Sequence, residues 1–250
     1  MNNQYQGAQF FNSANVLVGN LNTTSQNIRD YFSLREVNAT LAEENTILRK
    51  RLESLNQINK SGNGHAVTDS AVINRFDFVS ARVVNNSTDR YTNFITVNKG
   101  YGQGIKPGMA VIASTGAVGK VKTASKHFSV IMSLLNIDLR LSGLLKRTGH
   151  FGTVQWDGND PHVVEFNFIP RHVHPVVGDT IVTSGYSGVF PDGILIGTVS
   201  EINIRDEAPF YELKVSLAED FRKLSYVTII KSNLLQELDS LELHIPDMKQ

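Results

Sequence analysis

Hydrophobic residues follow a seven-residue repeat near the start of the chain. Leucines recur at this spacing from Leu34 to Leu55. Val37 and Ile58 take companion positions three residues later, but Glu44 and Arg51 occupy the other two, so the seam is imperfect. This is the spacing of a coiled-coil seam, and it predicts a dimerising helix over residues 28–60. An amphipathic helix packed on its own domain is the alternative interpretation. The predicted dimerisation residues are Leu34, Val37, Leu41, Leu48, Leu52 and Leu55.

The pattern changes after a turn of Ser, Gly and Asn at residues 61–64. Twelve short segments rich in Val, Ile, Thr and Phe follow up to about residue 231, and Gly, Asn, Asp and Pro separate them. Many short strands with such punctuation predict barrels or sandwiches. A last group of leucines at helical spacing, from Leu234 to Leu241, belongs to a C-terminal tail.

An internal repeat divides the strand region. Residues 108–114 and 118–121 resemble residues 178–184 and 196–199: a Gly opens one strand, and the next strand carries an apolar-Gly-x-Val sequence. A glycine inside a strand marks a bend or a close backbone approach, as at a barrel corner. Two copies predict two similar barrels, with chance similarity as the alternative.

The resulting fold class is mainly β, with an N-terminal coiled-coil helix followed by two small six-stranded β-barrels. The predicted divisions are a segment at 1–27, the helix at 28–60, a linker at 61–72, a first barrel at 73–139 plus 224–231, a second barrel at 140–223, and the tail at 232–250.

Composition removes several classes of function. The 250 residues carry 24 basic and 24 acidic side chains, and a net charge of zero argues against nucleic acid as a partner. The absence of cysteine removes disulfides, thiolate zinc sites and iron–sulfur clusters, and it suits an exported protein. The longest nearly apolar stretch, residues 128–135, is far shorter than the ~20 residues of a membrane-spanning helix.

One loop resembles the nucleophile loop of the chymotrypsin-like serine proteases. Ser187 would be the nucleophile, and His127 and Asp138 precede it in the order that the triad requires. Neither residue lies in a segment like the family's His or Asp motif, so a turn is the favoured interpretation. A serine hydrolase is kept as an alternative function.

No other constellation is complete. His172 and His174 would share one face of a strand, with His150 and His162 not far away in the sequence, but a zinc site needs three or four ligands. The glycines at 100, 102 and 104 precede a strand and not the helix of a dinucleotide site. We therefore predict no catalytic residue, no cofactor and no metal site.

Several segments, taken in order, resemble the MreC family of bacterial rod-shape-determining proteins. The resemblance covers residues 28–231. The matching segments are GIKPGMAVI at 104–112, GAVGKV at 116–121, SVIMSLLNID at 129–138, GDTIVTSG at 178–185, FPDGI at 190–194 and IGTV at 196–199.

The resemblance implies a role as well as a fold. MreC proteins have one membrane helix, a dimerising coiled coil and two extracytoplasmic barrels like those of chymotrypsin without the triad. The implied function is a non-catalytic scaffold of the cell-elongation machinery, which activates peptidoglycan synthesis. The implied partners are a second copy of the chain, larger self-assemblies, a class B penicillin-binding transpeptidase, MreD, RodA and MreB.

The resemblance also implies an anchor in the inner membrane, with the barrels in the periplasm. Only 27 residues precede the predicted coil, so this anchor is expected to be missing from the chain. A periplasmic adaptor of the membrane-fusion type, also a coil with β-barrels, is a further alternative. It predicts two helical arms, and the sequence indicates one.

Two groups of apolar residues are candidates for binding a partner. Tyr186, Val189 and Phe190 lie in a predicted loop tip, where apolar side chains have little core to join. Phe166 and Phe168 alternate along one strand and are expected to share a face. Packing inside a barrel is the alternative use for this second pair.

Overall fold

The computed structural model describes residues 36–55, 75–186, 188–204 and 208–233. Residues 36–55 are helical throughout. The segment 1–27, the linker 61–72, Leu34 and residues 234–250 of the tail lie outside the described residues. The strands are β1 Phe76–Asn86, β2 Thr92–Val97, β3 Ala110–Ile112, β4 Ala117–Ala124, β5 Ser129–Asn136, β6 Leu141–Leu145, β7 His150–Gln155, β8 Val163–Pro170, β9 Thr180–Thr183, β10 Leu195–Asn203, β11 Phe210–Leu217 and β12 Tyr226–Ser232.

The twelve strands form two closed antiparallel barrels of six strands each, as the sequence predicted. The first barrel has the order β1-β12-β3-β4-β5-β2, and the second has the order β10-β11-β8-β7-β6-β9. The last strand, β12, returns to the first barrel and pairs with both β1 and β3. Along β6, buried Leu141, Gly143 and Leu145 alternate with half-buried residues, because successive side chains of a strand point to opposite faces. Closure leaves neither sheet with an open edge.

The sequence repeat is also a structural repeat. The Gly108 amide donates to the Val121 carbonyl at 2.8 Å, and the Gly178 amide donates to the Val199 carbonyl at 2.9 Å. Each valine amide returns a hydrogen bond to the residue after its glycine, at 2.8 Å in both barrels. Both glycines have a positive φ, +88° and +95°, which side chains disfavour. The repeat therefore arises because the same hairpin, β3–β4 or β9–β10, builds a corner in each barrel.

A second glycine in each hairpin lies against the neighbouring strand. A Cβ on Gly119 would lie 2.0 Å from the carbonyl oxygen of Met132, and a Cβ on Gly197 would lie 2.1 Å from that of Ser216. No side chain fits at either place without a shift of the backbone. This contact is the physical reason for the apolar-Gly-x-Val sequence.

The second barrel carries a buried carboxylate, and none is found among the described residues of the first barrel. Asp179 is 5% exposed and accepts hydrogen bonds from Arg147 Nε at 2.6 Å and Nη2 at 2.8 Å. It also accepts one from the Val176 amide at 2.9 Å. The hydrogen bond from Arg147 is the main cause that lowers the pKa of Asp179. The carboxylate thus joins the turn before β7 to the turn before β9.

Replacing Asp179 with Ala is expected to lower the free energy of unfolding by about 2 kcal/mol, because charge-assisted hydrogen bonds are lost. The folded-state pKa is lowered, so the stabilisation is present above the pKa of an unfolded aspartate, about 4. It is lost as the pH falls through the folded-state pKa. In Asp179→Asn this position cannot be protonated. Its free energy of unfolding, measured with urea, should therefore fall less between pH 7 and pH 3 than that of the wild type. Glu201→Ala, which breaks the half-exposed ion pair with Lys214, is the control. If it lowers the free energy of unfolding as much as Asp179→Ala does, the prediction is contradicted.

Side chains of the helix and of the second barrel both contact the β3–β4 turn of the first barrel. Arg49 Nη2 donates to the carbonyl oxygens of Ala113 and Ser114 at 3.0 and 3.1 Å. In the same turn, the Thr115 hydroxyl donates to Glu219, which follows β11. No helix among the described residues is both long enough and apolar enough to cross a membrane.

Candidate functional site

Four aromatic side chains project from the second barrel and form what we call the aromatic surface: Phe151, Phe168, Tyr186 and Phe210. Three of them come from the adjacent strands β7, β8 and β11, and Tyr186 comes from the β9–β10 loop. Their exposed fractions range from 40% for Phe210 to 82% for Tyr186. The rings associate in pairs, with centroids 6.1 Å apart for Phe151 and Tyr186 and 6.0 Å apart for Phe168 and Phe210.

A β-bulge turns Phe168 outward. Tyr211 pairs with Ile169 and Leu213 pairs with Phe166, so two residues of β8 oppose one residue of β11. The extra residue reverses the alternation of buried and exposed side chains along β8, because a shift of one residue moves a side chain to the other face of the sheet. Phe168 has a φ of +69°, a left-handed conformation that costs a residue with a Cβ about 1–3 kcal/mol.

The prediction that Phe166 and Phe168 share a face is therefore wrong. Phe166 is fully buried, whereas Phe168 is 61% exposed. The ring of Phe166 fills space left by Gly143 and Gly152, where an added Cβ would approach it to 2.8 and 2.6 Å. A side chain in this position stabilises the barrel and offers no surface to a partner.

The β9–β10 loop presents one of its three predicted apolar residues. Tyr186 is exposed, Val189 is half-buried, and Phe190 is only 3% exposed, so the expectation that Phe190 lies at an exposed tip is wrong. The Thr183 hydroxyl donates to the Pro191 carbonyl at 2.6 Å and holds this part of the loop against the barrel. Phe151 and Phe210, by contrast, belong to the aromatic surface and were not predicted. Phe151 lies between His150 and Gly152 near the start of β7, and Phe210 lies between Pro209 and Tyr211 at the start of β11.

The helix carries a second apolar surface, the leucine stripe, which consists of Val37, Leu41, Leu48, Leu52 and Leu55. Each of these side chains is 52–62% exposed. Ile47 beside them is exposed as well and was not predicted. Thr46, on the opposite side of the helix, is buried, and its neighbour Lys50 forms an ion pair with Asp77 at 2.5 Å. The described part of the chain thus leaves the stripe open to solvent.

The residues considered for catalysis do not converge. His127 precedes β5 and Asp138 follows it, so the eight residues of that strand separate them, a distance of roughly 26 Å. Ser187 lies outside the described residues. The ring of His172 lies 5.6 Å from that of His150, while the His174 carbonyl accepts a hydrogen bond from Arg147. Within the described ranges, no group of three or more His, Asp or Glu could hold a metal ion.

Comparison with known sequences gives a family. The model of the barrel core of "Rod shape-determining protein MreC" matches residues 83–231. A cell shape-determining protein MreC of Listeria monocytogenes is 28% identical over an alignment of 202 residues, and the match covers 75% of this chain and 68% of the relative. The protein of Cereibacter sphaeroides is 28% identical over 160 residues, 64% of this chain and 51% of the relative. The chain thus spans between half and about two thirds of the length of these relatives.

Solved structures support the same fold. MreC of Listeria monocytogenes superposes with a TM-score of 0.62 at 27% identity, covering 76% of this chain and 91% of that one. The MreC of Helicobacter pylori, solved in a complex with the penicillin-binding protein PBP2, superposes with a TM-score of 0.50 at 14% identity. It covers 63% of this chain and 99% of that one. At this identity the second comparison shows the fold alone.

Proposed function

The chain belongs to the MreC family of rod shape-determining proteins, and from this premise we propose that it is a scaffold that dimerises and activates a peptidoglycan transpeptidase. The family is non-catalytic, so the prediction that the chain is not an enzyme is confirmed. The scaffold acts by binding, which favours an active conformation of the transpeptidase without any chemistry of its own. The serine hydrolase is therefore set aside.

The aromatic surface is the main observation that supports binding to a transpeptidase. Exposed aromatic side chains clustered on a rigid sheet are typical of the anchors that dominate binding energy in protein interfaces. Phe168 adds a second argument, because an exposed side chain held in a strained backbone conformation indicates a use other than stability. The complex of the Helicobacter pylori relative with PBP2 supports a partner of this class.

The leucine stripe supports dimerisation. Five apolar side chains at heptad-related positions are more than half exposed in the single chain, and a second helix would bury them. We propose the parallel or antiparallel pairing of two copies along Val37–Leu55, with Leu34 extending the seam. Larger assemblies would then use other surfaces of the barrels.

The proposed location is extracytoplasmic, with attachment to the inner membrane. Two related structures are described as the major periplasmic domain of MreC, which supports this side of the membrane. A protein placed there could also contact MreD and RodA within the membrane and, on its cytoplasmic side, MreB.

Exchanging Phe168 and Tyr186 for Ser tests the transpeptidase partnership. Each ring behaves as an anchor, so we expect the double variant to bind the class B transpeptidase of the same cell at least about 100-fold more weakly. Biolayer interferometry with the purified extracytoplasmic transpeptidase gives the affinity, and complementation gives the cell shape. Phe190 is left intact, because its loss would create a cavity in the core.

Tyr91→Ser with Phe94→Ser is the matched control, since it removes two exposed aromatic rings from the first barrel. It should leave transpeptidase binding unchanged. If the Phe168/Tyr186 variant binds the transpeptidase as tightly as the wild type and restores normal rod shape, the aromatic surface is not part of the transpeptidase interface.

A further inference from the structure

Positive charge is concentrated in one part of this neutral chain. From Arg90 to Ile137 the sequence contains six Lys or Arg residues and no Asp or Glu, although the whole chain has 24 of each sign. These 48 residues run from β2 to the end of β5 and make up most of the first barrel. A local excess of one sign creates a potential that the net charge of zero conceals.

The fold gathers part of this charge at one end of the first barrel. The loop between β2 and β3 lies on the β4–β5 turn: the Tyr101 amide donates to the Ser125 carbonyl at 2.8 Å, and the Gly102 amide donates to the Lys126 carbonyl at 3.2 Å. The Lys231 ammonium donates to the Gln103 carbonyl at 2.6 Å and adds a cation from β12. We call this surface the basic end; its exposed members are Tyr101, Lys106, Lys122, Lys126, His127 and Phe128.

The cations of the basic end are not neutralised locally. Lys106, Lys122 and Lys126 are exposed, and none of them forms an ion pair with another described residue. Asp77, the cross-strand neighbour of Lys231, is already bonded to Lys50 and Asn233. The three lysines are therefore available to an anionic partner.

Two aromatic rings accompany the lysines. Tyr101 is 59% exposed in the short 3-10 turn after β2, and Phe128 is 48% exposed in the turn before β5. Both residues lie in turns at the end of a closed barrel, where no strand continues beyond them. Exposed cations and exposed apolar rings at the same end of a barrel match a surface that is anionic outside and apolar beneath.

We propose that the basic end docks on an anionic lipid surface, with Lys106, Lys122 and Lys126 at the headgroups and the rings of Tyr101 and Phe128 at the boundary with the acyl chains. Lysines near an anionic leaflet and aromatic rings at its interface both contribute favourably. A soluble polyanion would engage the lysines and leave Phe128 in water, so the pairing of ring and charge favours lipid. This proposal does not depend on the transpeptidase or on dimerisation.

Vesicle co-sedimentation of the whole 250-residue chain tests the proposal. We expect binding to vesicles of phosphatidylglycerol and phosphatidylcholine, weaker binding as salt rises, and no binding to phosphatidylcholine alone. Lys122→Glu with Lys126→Glu should lower the partition coefficient by about tenfold or more. Tyr101→Ser with Phe128→Ser should weaken binding by a smaller factor and reduce the quenching of tyrosine fluorescence by brominated lipid.

The matched control is Lys146→Glu with Arg222→Glu, which makes the same change in net charge at two exposed cations outside the basic end. It should bind vesicles like the wild type. The proposal is overturned if the wild type ignores anionic vesicles, or if the control loses as much binding as the Lys122/Lys126 variant. It is equally overturned if the chain binds soluble teichoic acid or peptidoglycan fragments in preference to vesicles.

Discussion

Aspartate in place of Leu41 and Leu48 is expected to convert the dimer that we propose into a monomer. Both leucines are more than half exposed among the described residues, so neither side chain contributes to a buried core. In a dimer, four leucines would leave the seam, each worth about 1.5–3 kcal/mol, and four charges would enter it. The dissociation constant should therefore rise by at least about four orders of magnitude.

Sedimentation equilibrium measures this change, and circular dichroism checks that the strands remain. Ala39→Asp with Ala42→Asp is the matched control, because it adds the same charge on the side of the helix away from the leucine stripe and keeps every leucine. This control should remain dimeric. A Leu41/Leu48 variant with the mass of the wild type would exclude the leucine stripe as the dimer interface.

Replacing Gly197 with Ala is expected to cost more than about 3 kcal/mol of the free energy of unfolding. The new methyl group would lie 2.1 Å from the Ser216 carbonyl oxygen and 2.8 Å from Val215 Cγ1, and a backbone atom cannot turn aside as a side chain can. The β10–β11 ladder would have to open to admit it. The midpoint of urea unfolding and the yield of soluble protein report the loss.

Gly193 provides the comparison for Gly197. It lies in the same hairpin, has a φ of +84°, and has nothing within 4 Å of an added Cβ. Gly193→Ala should therefore cost only the backbone strain, about 1–2 kcal/mol. Equal losses at the two positions would show that the close approach at Gly197 has no energetic weight.

Much of the fold could be predicted because its signals are local and repeated. Gly108 and Gly178 open equivalent hairpins, and their similarity in sequence reflects the same pair of hydrogen bonds. The leucines of the helix repeat at a spacing that few other structures produce. Each of these features depends on neighbours close in sequence, so one chain is enough to reveal it.

The aromatic surface could be predicted only in part, because its geometry depends on a β-bulge at one residue that the sequence does not mark with a glycine. The bulge in β8 has no glycine at its positive-φ position, where Phe168 stands instead. A signal was present: apolar Phe168 and Ile169 are adjacent, which breaks the alternation of a regular strand. Phe190 was misassigned for another reason, since the hydrogen bond from Thr183 to Pro191 is invisible in the sequence.

The pairing of Phe76 with Ser232 has a consequence for the order in which the chain can fold. All six strands of the second barrel lie between β5 and β12, so they are synthesised before the first barrel receives its last strand. The second barrel can close as soon as β11 emerges, whereas β1 and β3 wait with unpaired edges. Such edges are where incomplete chains aggregate. Any chain that ends before Tyr226 would keep the second barrel and lose the first.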